Sequence, residues 1–349
     1  MNKDILELSV QKSATKRVAS LVGAAFVLAV LLFAIGLLYQ NSAVTEDNRN
    51  FPPPGKLVDV GGRSLHMVVS GDGPYTVVLE AGSGGTSLDW TAVQSGLTAF
   101  ARVCAYDRAG YGWSDPGNEL PTPLQLVSDL HRLLTAGDLK PPYILVGHSF
   151  GGFIVSRFAA EYPDETGGVV LVDALHEDFF NRMPPVVREN SEAQLRMISI
   201  AHKLCFTGIP RLFFSPIATQ GLPPEIQSAA NARGFRASVY KALYDEATAF
   251  SENPVWTESN VGFPRNIPLV VLSRGDPEQW PPSVPTENAE AVWRELQTSL
   301  AGQSDDCTHT VVDDSGHFIQ VEKPEIVIGA VKGLLEKLSG YRPHLGLPK

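Results

Sequence analysis

The sequence predicts an α/β domain that carries a helical insertion and follows one N-terminal membrane-spanning helix. From Leu57 onward, short runs rich in apolar and β-branched residues alternate with helical stretches. Several runs are continuously apolar, as strands are when helices cover both faces of a parallel sheet. One gap, residues 176–265, is too long for a simple crossover between strands and indicates the insertion.

Composition sets limits on function. The 349 residues are 44 % apolar, which is enough to bury the core of one large domain. The formal net charge of -10 provides no broad cationic surface, so nucleic-acid binding is not expected. Cys104, Cys205 and Cys307 lie far apart without a C-x-x-C pair, so we expect neither a metal site nor a redox dithiol.

Residues 18–39 predict the membrane-spanning helix. They contain no charged side chain, and 22 helical residues span ~33 Å, about the thickness of a bilayer core. Lys12, Lys16 and Arg17 precede the segment and acidic residues follow it, which predicts a cytoplasmic N-terminus and an extracytoplasmic main domain. A cleaved signal peptide is the alternative, although the apolar run is long and no A-x-A site follows.

The remaining chain divides by composition. Polar residues and three consecutive prolines predict an extended linker over 40–56. Eight predicted strands follow: LVDV, SLHMVV, TVVLE, RVCAYD, YILVGH, GVVLVD, PLVVLS and HTVVDD. The predicted units are a cytoplasmic segment 1–17, an anchor 18–39, the linker 40–56, a first core part 57–175, a helical cap 176–265, a second core part 266–340 and a tail 341–349.

Ser149 is the candidate nucleophile. It lies in Gly147-His148-Ser149-Phe150-Gly151, after the apolar run YILV and before a predicted helix. A sharp strand-to-helix turn projects such a hydroxyl above the sheet, and glycines two residues to either side avoid clashes there. The same glycines and serine also suit a tight turn with no catalytic role. The surrounding strand and helix and the partner residues distinguish the two alternatives.

A serine hydroxyl needs a histidine base, and the histidine needs an acid that fixes its tautomer. His317 fits because it follows the last predicted strand in a Gly-containing turn. Asp276 and Asp173 compete as the acid, each just after a strand. We favour Asp276, because its strand is expected to lie beside the strand that leads to His317; Asp173 then caps backbone N–H groups.

Two backbone N–H groups are predicted to form an oxyanion hole. Phe150 begins the helix after Ser149, where the helix dipole is positive. The other donor should lie in the glycine-rich loop after TVVLE, Ala81-Gly82-Ser83-Gly84-Gly85, and Ser83 N–H is the candidate.

Together these residues resemble the α/β-hydrolase superfamily from about Leu57 to Leu338, most of the insertion excepted. The segment Tyr106–Asp115 looks like the family's D-x-R-G-x-G-x-S turn, and SGHFIQVEKPE like its histidine turn and last helix. The resemblance implies an eight-stranded, mostly parallel sheet and an acyl-enzyme mechanism. Serine instead of aspartate at position 149 disfavours the dehalogenase and epoxide-hydrolase branches.

The predicted function is hydrolysis of a small-molecule acyl ester, or an amide, by Ser149 with His317 as base and then acid and Asp276 orienting it, a reaction that requires no cofactor. A proline-releasing aminopeptidase is an alternative that needs carboxylates in the cap, and a non-catalytic binding protein is another. Export would also permit a disulfide between Cys205 and Cys307. The carboxylates available in the cap are Glu177, Asp178, Asp245, Glu246 and Glu252.

Overall fold

The computed structural model describes residues 3–117, 120–252, 262–278 and 280–340. All eight predicted strands form, and they belong to one sheet. Their bounds are β1 Lys56–Asp59, β2 Ser64–Ser70, β3 Thr76–Glu80, β4 Arg102–Tyr106, β5 Tyr143–His148, β6 Thr166–Val172, β7 Leu269–Arg274 and β8 Cys307–Val312.

The sheet runs in the order β1-β2-β4-β3-β5-β6-β7-β8. β1 pairs antiparallel with β2, and β2 antiparallel with β4, whereas every later pairing is parallel. The carboxyl ends of β3, β5, β6, β7 and β8 therefore meet at one edge of the sheet, where α/β folds place their sites. The predicted α/β class with a hairpin-like start is confirmed.

Helices cover both faces of the sheet, which explains the continuous apolar strand runs. One face packs against α3 (Pro123–Ala136) and α4 (Phe150–Glu161). The other packs against α2 (Thr91–Leu97) and α12 (Pro324–Ser339). Fully buried side chains such as Val146 and Leu171 fill the two layers.

The insertion between β6 and β7 forms a helical cap, as predicted. Paired prolines begin two of its helices because proline suits the first helical turn. The core resumes with α10 and α11 around β8. The bounds are α5 Phe179–Arg182, α6 Pro185–Leu204, α7 Ile209–Phe213, α8 Pro224–Gly234, α9 Ala237–Glu252, α10 Thr286–Ala301 and α11 Ile319–Glu322.

The N-terminal helix is longer than predicted. α1 (Lys3–Asn50) includes the apolar segment 18–39 and continues through most of the predicted linker 40–56, so the extended linker is wrong up to Asn50. Contacts with the cap explain the extra turns: Arg211 pairs with Asp47, and Arg233 donates to Asn48 Oδ1 at 3.1 Å. The apolar side chains of segment 18–39 are mostly exposed, unlike those of a core helix.

The three cysteines are free, so the predicted option of a Cys205–Cys307 disulfide is not realised. The Cys205 thiol instead donates to the carbonyl oxygen of Phe235 at 3.2 Å inside the cap. Cys104 is buried in β4, as its apolar sequence context indicates. The tail 341–349 lies outside the described residues, as does 253–261 of the predicted cap.

Candidate active site

Ser149 occupies a strained turn between β5 and α4. Its backbone has φ 51° and ψ -121°, a region that costs a non-glycine residue roughly 1–3 kcal/mol. The flanking glycines are required by packing, since a Cβ at Gly147 or Gly151 would lie 2.5 Å from a backbone carbonyl oxygen. The strained turn therefore has the geometry that the G-x-S-x-G spacing predicts.

His317 lies beside this turn. It follows β8, and its imidazole ring centroid is 4.6 Å from that of His148, the residue before Ser149. Its Nδ1 is 2.6 Å from Oδ2 of Asp173. Because the carboxylate can only accept, Nδ1 carries the proton and the lone pair of a neutral ring is on Nε2. His317 thus has a nitrogen available to take a proton from a hydroxyl.

The predicted pairing of His317 with Asp276 is wrong; the carboxylate bonded to His317 belongs to Asp173. Asp276 is exposed, and its backbone N–H donates to Ser315 O at 3.0 Å in the turn between β7 and the histidine loop. The end of β7 is occupied by Arg274, whose guanidinium extends toward Asp173. The histidine loop therefore passes over the end of β7 and reaches the acid of β6.

Asp173 is fully buried and satisfied by several donors. Its backbone φ of 41° turns the carboxylate toward His317, while Trp293 Nε1 donates to it at 2.9 Å and Arg274 Nη1 at 2.7 Å. Burial alone would raise the pKa of Asp173, but the hydrogen bond and charge of His317 and the charge of Arg274 outweigh it and lower the pKa to about 2. Asp173 is therefore ionised at neutral pH.

Arg274 joins Asp173 to a second buried carboxylate, Glu290, through Nη2 at 2.9 Å. Arg274→Met should lower the free energy of unfolding by roughly 3–5 kcal/mol, because two buried carboxylates lose their cation. Arg265→Met is the matched control; its ion pair with Asp305 is solvent-exposed, so the loss should be about 1 kcal/mol or less. Urea unfolding of the detergent-solubilised chain measures both, and equal losses would contradict this view of Arg274.

His148 supports the backbone of the histidine loop. Its Nε2 donates to the carbonyl oxygen of His317 at 2.9 Å. Burial, and then the neighbouring His317, lower the pKa of His148 to about 3, so the ring stays neutral at pH 7. A neutral His148 with its proton on Nε2 fixes the position of residue 317 relative to residue 149.

The glycine-rich loop after β3 lies against the Ser149 turn. A Cβ at Gly82 would be 3.1 Å from the Cβ of Ser149, so only glycine allows this approach. Ser83, the next residue, is exposed and lines the same cavity as Phe150, the first residue of α4. The two predicted donors of the oxyanion hole therefore belong to residues that border one space.

Arg108 holds the glycine-rich loop in place through hydrogen bonds to its carbonyl oxygens. Its guanidinium donates to Gly82 O at 2.9 Å and to Glu80 at 2.7 Å, and it also bonds Ala81 O. Its Nε donates to Glu246 of α9 at 2.7 Å, which connects the loop to the cap. Burial raises the pKa of Glu80 to about 7, although the charge of Arg108 opposes the shift. Arg108 thus bonds groups in the core, in the glycine-rich loop and in the cap.

The cavity beside Ser83 and Phe150 extends under the cap and has a volume of about 340 Å³. Its wall is mainly apolar, and its charged members are Arg188 and Glu192 of α6 and Glu246 of α9. The apolar lining comes from α5, α6 and α9 as well as the core, so the insertion shapes the space next to Ser83 and Phe150. Its main apolar members are Leu175, Phe179, Phe180, Leu195, Leu243 and Phe250.

Several supporting residues were not predicted from sequence. Arg108 belongs to the Tyr106–Asp115 segment that resembles the family's turn, so the sequence marked the residue. The sequence did not indicate which groups Arg108 bonds. Arg274 and Trp293 carry no motif, and only the packed structure brings them to Asp173. Glu246 was predicted only as one of the cap carboxylates available to an aminopeptidase.

The model of the alpha/beta hydrolase family matches residues 77–330, which is most of the chain. The chain belongs to the α/β hydrolase family. Three structural features agree with this family: the sheet order, the strained serine after β5 and the histidine after β8. The protein is thus a hydrolase-fold member whose described N-terminal part is one long, apolar helix.

This α/β hydrolase has relatives of different lengths. The uncharacterized protein YqjL of Bacillus subtilis is 37 % identical over 261 residues, which cover 74 % of this chain and 82 % of YqjL. "Probable transporter efuK" of Hormonema carpetanum is 27 % identical over 82 % of this chain, which spans only 43 % of that protein. The solved structure of Est816, described as an N-acyl homoserine lactone degrading enzyme, has a TM-score of 0.57 at 18 % identity over 80 % of this chain and 99 % of Est816. That likeness shows the shared fold.

Proposed function

We propose that this hydrolase cleaves carboxylic esters through an acyl-enzyme, with Ser149 as nucleophile, His317 as general base and Asp173 as the acid that orients it. The observation that carries the proposal is the Nδ1–Oδ2 hydrogen bond of 2.6 Å between His317 and Asp173, next to the strained Ser149 turn. An amide substrate is less favoured because its leaving group is poorer.

The proposed reaction has two half-reactions. His317 Nε2 takes the Ser149 proton as Oγ attacks the carbonyl carbon, and the resulting imidazolium is stabilised by ionised Asp173. His317 then protonates the leaving alcohol. Water, deprotonated by His317, attacks the acyl carbon; the bond to Oγ then breaks, the carboxylic acid leaves and His317 returns the proton to Ser149. The Ser83 and Phe150 N–H groups stabilise the oxyanion in both half-reactions.

The cavity under the cap indicates the acyl group. Phenylalanine and leucine side chains dominate its wall next to Ser83 and Phe150, so it suits an apolar acyl chain better than a charged one. No cofactor takes part in the proposed steps, because the serine, histidine and aspartate supply all of the proton transfers.

We also propose that segment 18–39 is a retained membrane anchor, with the N-terminus cytoplasmic and the hydrolase domain extracytoplasmic. The support is the exposed apolar surface of α1 and the positive charges before the segment. Carbonate extraction of the membrane fraction tests retention: the full-length chain should stay in the pellet. Its release into the supernatant would overturn the anchor.

The reaction is tested with the purified full-length chain in detergent and p-nitrophenyl esters of increasing acyl length. We expect turnover of the esters and much slower cleavage of the matching p-nitroanilides. Prolyl p-nitroanilide tests the aminopeptidase alternative, for which two of the candidate cap carboxylates are already paired, Glu246 with Arg108 and Asp245 with Lys241. Absence of ester hydrolysis across the series would overturn the proposal and favour a binding protein.

Arg108 should act as a positioning residue for the oxyanion donors. Arg108→Lys keeps the positive charge but cannot bond Glu80, Glu246 and two loop carbonyls at once. Losing one oxyanion donor costs roughly 10²–10³ in kcat, so a misplaced loop should lower kcat by about tenfold or more with KM nearly unchanged. Steady-state kinetics beside a thermal melt measure this. A raised KM with unchanged kcat would contradict it.

A further inference from the structure

The cap contacts α1 at the level of the predicted membrane span. The docking turn, residues 205–213, follows α6 and includes α7, and it packs on the last turns of the apolar segment 18–39. The ring of Phe206 is 5.6 Å from that of Phe33, centroid to centroid. A Cβ at Gly36 would overlap the carbonyl oxygen of Thr207. The docking turn therefore lies beside residues 33–39, not above them.

The contacts become polar one turn further along α1. Gln40 Nε2 donates to the Phe235 carbonyl oxygen at 3.3 Å, and its side-chain oxygen accepts from Arg211 at 3.0 Å. Arg211 also pairs with Asp47, with both side chains largely buried. The change from apolar to polar contacts marks the membrane–water boundary near residue 40, because a bilayer core of ~30 Å needs all of segment 18–39 to cross it.

At this level the docking turn exposes large apolar side chains. Phe213 is 77 % exposed, Leu212 61 % and Phe206 46 %. Three such residues within eight positions form a patch of the kind that marks an interaction surface. Since the segment beside them is the proposed membrane span, the medium that surrounds them there is lipid.

We propose that Phe206, Leu212 and Phe213 insert into the outer boundary of the bilayer that holds α1. The cap is then a membrane-contacting element, and its substrates are apolar esters dissolved in that bilayer. This inference rests on the proposed ester hydrolysis and membrane anchor, and it specifies the substrate class of the same site.

α6 connects the docking turn with the cavity. Leu195 and Ile198 of α6 line the cavity next to Ser83, and the helix ends at Leu204, directly before the docking turn. Leu204 follows Ile198 by six helical steps, a length of ~9 Å. Met197 and Ile200, on either side of Ile198 in α6, are apolar and exposed. An acyl chain leaving the bilayer therefore meets apolar side chains along a short path to the cavity.

The depth of the docking turn can be measured on the full-length chain in phosphatidylcholine nanodiscs that contain nitroxide-labelled lipid. In a Cys307→Ser background, Phe213→Cys is labelled with an NBD fluorophore. Val22→Cys, within the span, and Leu124→Cys, at an exposed apolar site in α3, are the controls. We expect quenching at positions 22 and 213 and none at 124.

Quenching at 22 without quenching at 213 would overturn the inference while leaving the anchor intact. A blue-shifted but unquenched label at 213 would show a protein partner or a second copy instead of lipid, and would also overturn it. If position 22 is not quenched, the anchor fails and the inference fails with it.

Activity provides the second test. Leu212→Ser with Phe213→Ser should lower hydrolysis of a long-chain acyl ester embedded in the nanodiscs by about tenfold, because interfacial binding scales with buried apolar area. Hydrolysis of soluble p-nitrophenyl butyrate should stay within about twofold, since no catalytic group is touched. The matched control is Phe100→Ser with Leu124→Ser, which should change neither rate. Equal effects of the two double variants on the embedded ester would contradict the inference, whereas an inactive wild type would refute the proposed reaction itself.

Discussion

Ser149→Ala is expected to reduce kcat for a p-nitrophenyl ester by about 10⁶-fold, to the assay background. The substitution removes the hydroxyl that attacks the carbonyl carbon, and the proposed reaction has no other nucleophile. The cavity stays intact. KM should change little. The measurement is steady-state ester hydrolysis by the full-length chain in detergent.

Ser83→Ala is the control for that variant. Ser83 is proposed to act through its backbone N–H, which alanine retains, so kcat should stay within about threefold of the wild type. Substantial activity in Ser149→Ala, or a loss in Ser83→Ala as large as in Ser149→Ala, would contradict the assignment of the nucleophile.

Asp173→Asn is expected to lower kcat by about 10⁴-fold, the size of effect seen when an acid that fixes the catalytic histidine's tautomer becomes an amide. The asparagine can present an N–H to His317 Nδ1, so the proton moves to Nε2, where it blocks the uptake of the serine proton. Asparagine also leaves Arg274 without a charged partner on that side. The pH profile of kcat and a thermal melt separate the catalytic effect from unfolding.

Asp276→Asn is the matched control, because Asp276 follows the neighbouring strand and is exposed. Its kcat should remain within about twofold of the wild type, as for surface substitutions in general. The reverse result, an active Asp173→Asn and an inactive Asp276→Asn, would restore the acid that strand order alone suggests.

The fold was predictable because its signals are local. Continuous apolar runs such as YILV and GVVLV require burial on both faces, and glycines at 147 and 151 mark the sharp turn around Ser149. His317 was predictable for a similar reason, since it follows the last strand in a short turn. Each of these features depends on residues that are neighbours in the sequence.

The acid and the linker were not predictable, because both depend on distant contacts. Adjacency of β7 and β8 favours Asp276, but the histidine loop crosses the end of β7, which Arg274 fills, and reaches Asp173. Residues 41–50 have a polar sequence that indicates an extended segment. They are helical because cap residues more than 160 positions away, Arg211 and Arg233, bond to them.

In the proposed reaction, His317 makes Ser149 nucleophilic. Labelling with a fluorophosphonate probe measures this activation, through intact mass, peptide mapping and the labelling rates of wild type and His317→Ala. We expect one adduct, located on Ser149, and labelling in His317→Ala slower by at least about 10³-fold, since the base is lost. An adduct on another serine, or equal labelling rates in the two proteins, would contradict it.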